Sequence, residues 1–494
     1  MRPREAETLP GLLGELAGGS RAALIHHDRT ITARELAERA ARVAGGLAAT
    51  GIGAGDRVAV WLPNRPEWLE LHFALARLGA LTVAVNTRFR AHEVRDLLER
   101  SEARAVAFAP GFKGIAFEDI LGDAPVDRIR VGGPEYAALL EHEPAPDASG
   151  PEAPCVAFTS SGTTGRPKLV VHAQGGIVAH ARAVAAGFGY DAPDCVALAM
   201  LPLCGVFGHS SALGALAGGA PVVLQEAFDA GEAARLVGRH RVTHANGSDA
   251  MLLRLLEASP DPPLREAGFA AFDGDPRAVV DAADAAGTTA YMCYGSTEVQ
   301  ALLAHAPQDG TPERRAIAGG RPVSPATQVR VAADGELEIR GPSVMAGYLG
   351  DEQPDLTDDG FLRSGDLGRE LDDGFAFTAR RGDALRLGGF LVSPREIEVF
   401  LEQGDDIAEA VVVAVEHEGA QRPVAFAVAR DGAVLDEAAA LERCRASLAA
   451  FKVPRRVLEL GELPATDSPN GRKVQRSELR RLAAEALQET PSTT

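Results

Sequence analysis

The chain has 494 residues, 46% apolar and 24% charged, which is long enough for two or three compact units with sizeable cores. Its net charge is −19, from 50 basic and 69 acidic residues; this argues against nucleic acid as the main partner, because phosphate backbones demand a basic footprint, and it means that a polyanion site must be made attractive locally. Five cysteines without a C-x-x-C pair suggest neither a zinc site nor a disulfide framework, no apolar run reaches the ~18 residues of a membrane span, and the start Met1-Arg2-Pro3-Arg4-Glu5 lacks the apolar stretch of a signal peptide, so a reducing cytoplasm is the simplest location.

In chain order, Thr32 with Glu35 reads as a capping box. It opens a helix with Leu36, Ala40, Val43 and Leu47 on one face. Val58 to Leu62 is a buried strand ended by Pro63, 68–81 is helical, and Ala105 to Phe108 is another apolar strand. This alternation predicts layered α/β structure with a largely parallel sheet. The Pro- and Ala-rich stretch 144–154 reads as a linker, and Cys155 to Phe158 as a strand. A strand at 221–224 follows, then short β segments with Gly turns over 327–341. From near Gly382 the pattern changes to a small α+β unit. Ser393-Pro394-Arg395-Glu396 starts a helix, followed by strands at 410–415 and 423–428, a helix at 437–450 and a strand at 456–460. The tail from Glu489 is polar and expected to fray. The fold expected is therefore α/β: a large N-terminal domain, 1–381, of layered α/β subdomains plus a β segment, and a small C-terminal α+β domain, 382–494.

Thr159-Ser160-Ser161-Gly162-Thr163-Thr164-Gly165-Arg166-Pro167-Lys168 packs five hydroxyls, two glycines and a lysine into ten residues. Hydroxyls donate to phosphate oxygens, glycines let backbone N–H groups curve around an anion, and the lysine adds a point charge. The order does not match G-x-x-x-x-G-K-[ST]. By composition alone, a solvated Ser/Gly turn is the competing reading. In this order, however, the loop resembles the signature loop of the acyl-adenylate-forming family: acyl-CoA synthetases, peptide-synthetase adenylation domains and luciferases. One departure is Leu169, where that family has glycine, which implies a stiffer exit from the loop.

The resemblance implies further motifs in a fixed order, and they are present over nearly the whole chain, from about residue 10 to residue 480. Tyr294-Gly295-Ser296-Thr297-Glu298 resembles the aromatic-Gly-x-Thr-Glu motif, which implies Tyr294 against adenine, Thr297 at the α-phosphate and Glu298 holding Mg²⁺. Gly274-Asp275-Pro276 stands where the family's backbone meets adenine. Gly335-Glu336-Leu337 through Gly347-Tyr348 matches a segment read as structural. Ser364-Gly365-Asp366 supplies a carboxylate for ribose hydroxyls. Within Arg380-Arg381-Gly382-Asp383, spacing to Asp383 assigns the ribose-contacting arginine to Arg380, while counting from the preceding strand allows Arg381. Gly382 stands at the hinge of a mobile C-terminal domain, and Gly388-Gly389 in the loop that family members bring to a pantetheine tunnel. Near the end, Asn470-Gly471-Arg472-Lys473-Val474-Gln475-Arg476 carries an inserted Arg472. The Lys-Val-x-Arg side fits Lys473 as the catalytic lysine, and a solvated basic run is the alternative.

The implied reaction is attack of a carboxylate on ATP, release of pyrophosphate, and transfer of the acyl group to a thiol, with ATP, Mg²⁺ and CoA as cofactors and co-substrates. No nucleic acid or membrane partner is expected. The acyl pocket is assigned to Gly205, Asn246 and Cys293. Cys293 narrows one path while Gly205 opens another, so a bulky or cyclic apolar acid is expected in place of a long straight chain. Three alternatives stand beside the acyl-CoA ligase: an enzyme that loads the phosphopantetheine of a carrier protein, a non-catalytic nucleotide or acyl-adenylate binder, and a luciferase-like oxygenase.

Overall fold

The computed structural model describes residues 6–19, 21–160, 168–272, 275–350, 353–381, 385–387, 390–392, 394–417, 420–448, 452–468 and 471–488. Its chain falls into two units. One comprises Met1–Arg330, Glu338–Ser364 and Glu370–Ala376, and the other Val331–Leu337, Gly365–Arg369 and Phe377–Thr494.

The first unit is layered α/β. In one sheet the strands Pro154–Thr159, Leu81–Ala84, Arg57–Trp61, Ala105–Phe108 and Asp127–Arg130 lie parallel in that order. Leu169–Ala173 turns back antiparallel on Pro154–Thr159 and carries Gly347–Tyr348 on its outer edge. In a second sheet Thr289–Tyr294, Glu266–Ala270, His244–Ser248, Ala197–Ala199, Val222–Leu224 and Ala22–His26 are parallel. Val58, Ala59, Val60 and Trp61 are all 0% exposed, which is how a parallel strand covered on both faces reads in sequence.

Local chemistry sets the element ends. The Thr32 hydroxyl accepts from the Glu35 N–H at 3.1 Å and starts the helix Ala33–Ala49, whose Leu36, Ala40, Val43 and Leu47 are buried. The expected return bond of a capping box is replaced: the Glu35 carboxylate accepts from Arg29 at 2.7 Å instead. The next helix, Pro66–Leu78, stops three residues before the end expected from sequence, because Gly79 takes a left-handed φ of 69° and the strand Leu81–Ala84 begins at once. Glycine at this position ends a helix at no steric cost. The stretch 144–154 has the irregular backbone of a linker, but it is bound to helices of the first unit and separates no domains. Its Ala145 and Ala148 N–H groups donate to the Ala41 and Arg77 carbonyls at 3.0 Å.

The second unit is α+β. The hairpin Ile407–His417 with Ala420–Ala429 is joined in parallel by Val457–Glu459. Side chains alternate across it. Val412, Ala425 and Ala427 pack with Ile397, Leu401 and Cys444 on one face, and Val411, Val413, Val424 and Phe426 with Leu479, Ala483 and Leu487 on the other. The strands run longer than the 410–415 and 423–428 expected from sequence, and the helix Glu437–Ser447 ends short of 450. Among the described residues no helix is long and apolar enough to cross a membrane.

Candidate active site

The Ser/Thr/Gly loop is the connection of a β-hairpin. Thr159 pairs with Leu169, and the Ser160 N–H donates to the Lys168 carbonyl at 2.9 Å, so the chain enters and leaves the loop through one narrow neck. Ser161, Gly162, Thr163, Thr164 and Gly165 lie outside the described residues. At the neck the Ser160 side chain is buried and its hydroxyl has no hydrogen-bond partner among the described residues. An unmatched buried hydroxyl costs about 1–3 kcal/mol, which a ligand oxygen would recover. Leu169 is 1% exposed, so the residue that departs from the family pattern is a core side chain opening a strand.

The neck is tied to two distant segments. The Leu349 N–H donates to the Leu169 carbonyl, the Ala346 N–H to the Val171 carbonyl and the Met345 N–H to the Glu298 carbonyl, each at 2.8 Å. In this frame Lys168 Nζ sits over the Tyr348 ring, 4.6 Å from its centroid. The Tyr348 hydroxyl lies 3.5 Å from Glu298 Oε1. Tyr348 therefore stands between the loop lysine and the carboxylate of the Thr-Glu motif. Sequence reasoning assigned Gly347-Tyr348 a structural part only. The backbone pairing agrees, but the phenol joins the site, and the one available signal was an aromatic residue in an otherwise turn-like pair.

The Thr-Glu motif begins where the strand Thr289–Tyr294 ends. Tyr294 is buried with its ring edge-on to Phe375, centroids 5.0 Å apart at 84°. At Gly295 a Cβ would lie 1.4 Å from the Ala301 carbonyl oxygen, so no other residue fits. Thr297–Val299 is a single 3₁₀ turn, and Gln300 and Ala301 both have φ of 60°. Gly295→Ala is expected to displace this turn and lower acid-dependent pyrophosphate release on the order of 100-fold, measured on the folded fraction. Asp275 caps the helix Pro276–Ala285, its Oδ1 accepting from the Arg277 N–H at 3.0 Å; Gly274 lies outside the described residues.

Of the acyl-pocket residues, Asn246 and Cys293 come together. They stand on strands that flank Glu266–Ala270, and a Cβ on Gly268 would lie 2.5 Å from Asn246 Oδ1 and 2.9 Å from Cys293 Sγ. Asn246 donates to the Tyr190 hydroxyl at 2.9 Å and to Ser211 Oγ at 3.0 Å, and accepts from the Gly268 N–H at 3.2 Å. Its amide is thus used to clamp strand to helix. Burial pushes the Cys293 thiol up, so it stays protonated. Gly205 is the N-cap of the helix Val206–Ala217, more than one turn before Ser211.

The second unit holds the other expected residues. Arg380 Nη1 donates to Asp366 Oδ1 at 2.7 Å, and the Asp366 side chain is 7% exposed. Arg381 goes elsewhere: its guanidinium donates to Asp334 and Glu336, each at 2.7 Å. Of the two arginines, then, Arg380 is the one beside Asp366. Lys473 lies in the strand Gly471–Val474, opposite Thr466, with Arg472 opposite Asp467. The extra arginine is thus taken up within a regular two-stranded ribbon. Gly382, Gly388 and Gly389 lie outside the described residues.

Comparison with known proteins places the chain in a family. The AMP-binding enzyme model matches residues 17–349, and the model of the AMP-binding enzyme C-terminal domain matches residues 396–469. The 2-succinylbenzoate–CoA ligase of Geobacillus kaustophilus is 33% identical over 474 residues, covering 92% of this chain and 93% of its own. The indoleacetate–CoA ligase of Aromatoleum aromaticum is 31% identical over 489 residues, covering 92% and 94%. The o-succinylbenzoate CoA synthetase of Bacillus subtilis, solved with its acyl-adenylate intermediate, superposes with a TM-score of 0.82 at 26% identity over 95% of this chain and 97% of that one. The same enzyme has been solved with ATP and a magnesium ion. The chain therefore belongs to the AMP-binding enzyme family, the adenylate-forming acid–thiol ligases.

Proposed function

We propose that this protein converts a bulky or cyclic apolar carboxylic acid to its CoA thioester through an acyl-adenylate. A carboxylate oxygen attacks the α-phosphorus of ATP, the bond from that phosphorus to the bridging oxygen breaks, and pyrophosphate leaves. The CoA sulfur then attacks the acyl carbon, AMP departs with the mixed-anhydride oxygen, and the thiol proton passes to solvent. Catalysis of the first step is positioning and charge stabilisation.

In this reading the loop from Thr159 to Lys168 holds the β- and γ-phosphates. Thr297 meets the α-phosphate, Tyr294 and the 274–276 turn meet adenine, Asp366 and Arg380 meet ribose, and Lys473 meets the carboxylate and α-phosphate. Glu298 and the loop hydroxyls are hard oxygen donors and fit a magnesium ion, which when bound neutralises phosphate charge. The small domain from Gly382 onward is assigned the motion that separates the two half-reactions. The observation that carries the reading is the frame in which the neck of the loop, Tyr348 and Glu298 are tied together by hydrogen bonds from 345–349.

The acid class draws support from two sources. The relatives above are named for succinylbenzoate and indoleacetate. In the pocket, the polar groups of Asn246 are already engaged, which suits an apolar body. The test is pyrophosphate release over a panel of aryl, alicyclic and straight-chain acids, with and without CoA. Aryl and alicyclic acids are expected to exceed palmitate by about tenfold or more in kcat/KM. Palmitate as the better substrate would contradict the acid class, and adenylation without thioester formation on CoA would favour a carrier-protein thiol.

A further inference from the structure

The turn bearing Thr297 and Glu298 is held from behind by two buried histidines. His172 lies in the strand Leu169–Ala173, four residues beyond Lys168, and His180 in the helix Gln174–Gly187 that follows. Both are 1% exposed. The His172 Nε2–H donates to the Thr297 carbonyl and the His180 Nε2–H to the Gln300 carbonyl, each at 2.9 Å. A carbonyl only accepts, so each ring carries its proton on Nε2. The two Nδ1 atoms are buried with no partner among the described residues, so a second proton would bury an unmatched charge. Both rings are therefore neutral donors of fixed tautomer. Between them the Glu298 carbonyl accepts from the Met345 N–H at 2.8 Å, and Gln300 Nε2 donates to the Ser343 carbonyl at 3.3 Å. The left-handed backbone at Gln300 and Ala301 is a conformation a chain keeps only where its surroundings enforce it.

We infer that His172 and His180 are positioning residues that clamp the Thr297–Gln300 turn onto the strand and helix leaving the phosphate loop, so that Lys168 and the Thr297 and Glu298 side chains keep one spacing when the triphosphate binds. The inference rests on the assignment of Thr297 and Glu298 to the nucleotide site. Its elements are joined in sequence as well as in space: the strand that closes the loop carries one histidine and the next helix carries the other.

The test compares His172→Leu, which fills the volume without a donor, with His172→Gln, whose amide Nε2 offers a donor at similar reach, using Glu298→Gln as reference. Amide hydrogen exchange over residues 296–301 and the kinetics of pyrophosphate release are read together. His172→Leu is expected to speed exchange in the turn and lower kcat about 10- to 100-fold, with KM for the acid within about threefold of wild type. His172→Gln is expected to restore the protection and most of kcat. Equal behaviour of the Leu and Gln variants, or faster exchange with kcat unchanged while Glu298→Gln is impaired, overturns the inference. If Glu298→Gln releases pyrophosphate at the wild-type rate, the assignment of the turn falls first and the inference with it. The His180 variants are read in the same way. If both Leu variants fail to fold, His172→Asn and His180→Asn, whose shorter amides do not reach the carbonyls, take their place: faster exchange and lower kcat are expected, and wild-type exchange and kcat in both overturn the inference.

Discussion

Lys473→Ala is expected to lower acid-dependent pyrophosphate release by about 10²- to 10³-fold, the usual cost of removing one preorganised charge from a developing oxyanion. The adjacent Arg472→Ala is expected to stay within about threefold of wild type. The two residues occupy successive positions of the strand Gly471–Val474, Lys473 opposite Thr466 and Arg472 opposite Asp467, so a basic run acting as a unit would lose activity at both. The half-reactions separate the roles further. Supplied with chemically made acyl-adenylate and CoA, the Lys473→Ala protein is expected to form thioester within about threefold of the wild-type rate, because the charge is needed only while pyrophosphate leaves. Equal losses in both halves would contradict a role confined to adenylation.

Stability is expected to fall steeply with pH below about 6.5. His72, His172, His180 and His209 are all buried in the first unit. Burial lowers His72 and His180 to about 3, His172 to about 4, and His209 well below its ordinary value of 6.5. The geometry explains why protonation is resisted. His72 and His209 face each other Nε2 to Nε2 at 3.1 Å, and His72 Nδ1 meets Thr82 Oγ1 at 3.0 Å, so a shared contact that works with one proton fails with two. The unfolded chain takes up protons from about pH 6.5 downward while the folded chain refuses them, so stability present above that pH is lost as pH falls toward the folded values. Each histidine contributes on the order of 1 kcal/mol per pH unit once the pH is below the unfolded value, and the four act in the same direction. The net charge of −19 acts in the opposite direction, since acid relieves surface repulsion. Urea unfolding at pH 8, 6.5 and 5 checks this: a sharp loss of midpoint below 6.5 is expected, and a flat profile to pH 5 would contradict it.

The parallel strands were legible because burial on both faces writes a continuous apolar run such as Val58 to Leu62. The small α+β unit was legible in outline from the helix start at Pro394 and from the continuous apolar run Ala410 to Val415. Helix ends were harder. Gly79 carries the stop signal, but the apolar pattern continues into the next strand and conceals it. The final helix Arg476–Gln488 was not predicted although Leu479, Ala483 and Leu487 recur every four residues, because charged side chains crowd the positions between them. Among the candidate site residues, those carried by local motifs were visible in the sequence: the loop and the Thr-Glu turn in the first unit, and the Asp366–Arg380 pair in the second. Tyr348, His172 and His180 were not, because their importance comes from partners 50 to 180 positions away or across a sheet edge: Tyr348 lies 50 residues from Glu298, and His172 lies 125 from Thr297. No local pattern encodes such a pairing.

Adenylate formation is the step on which the proposed function rests. Exchange of labelled pyrophosphate into ATP, measured with no thiol present, reports that step alone. Exchange that requires a carboxylic acid, is strongest with aryl or alicyclic acids and is lost in Lys473→Ala is the predicted result. Nucleotide binding without any acid-dependent exchange, unchanged by Lys473→Ala, would contradict it.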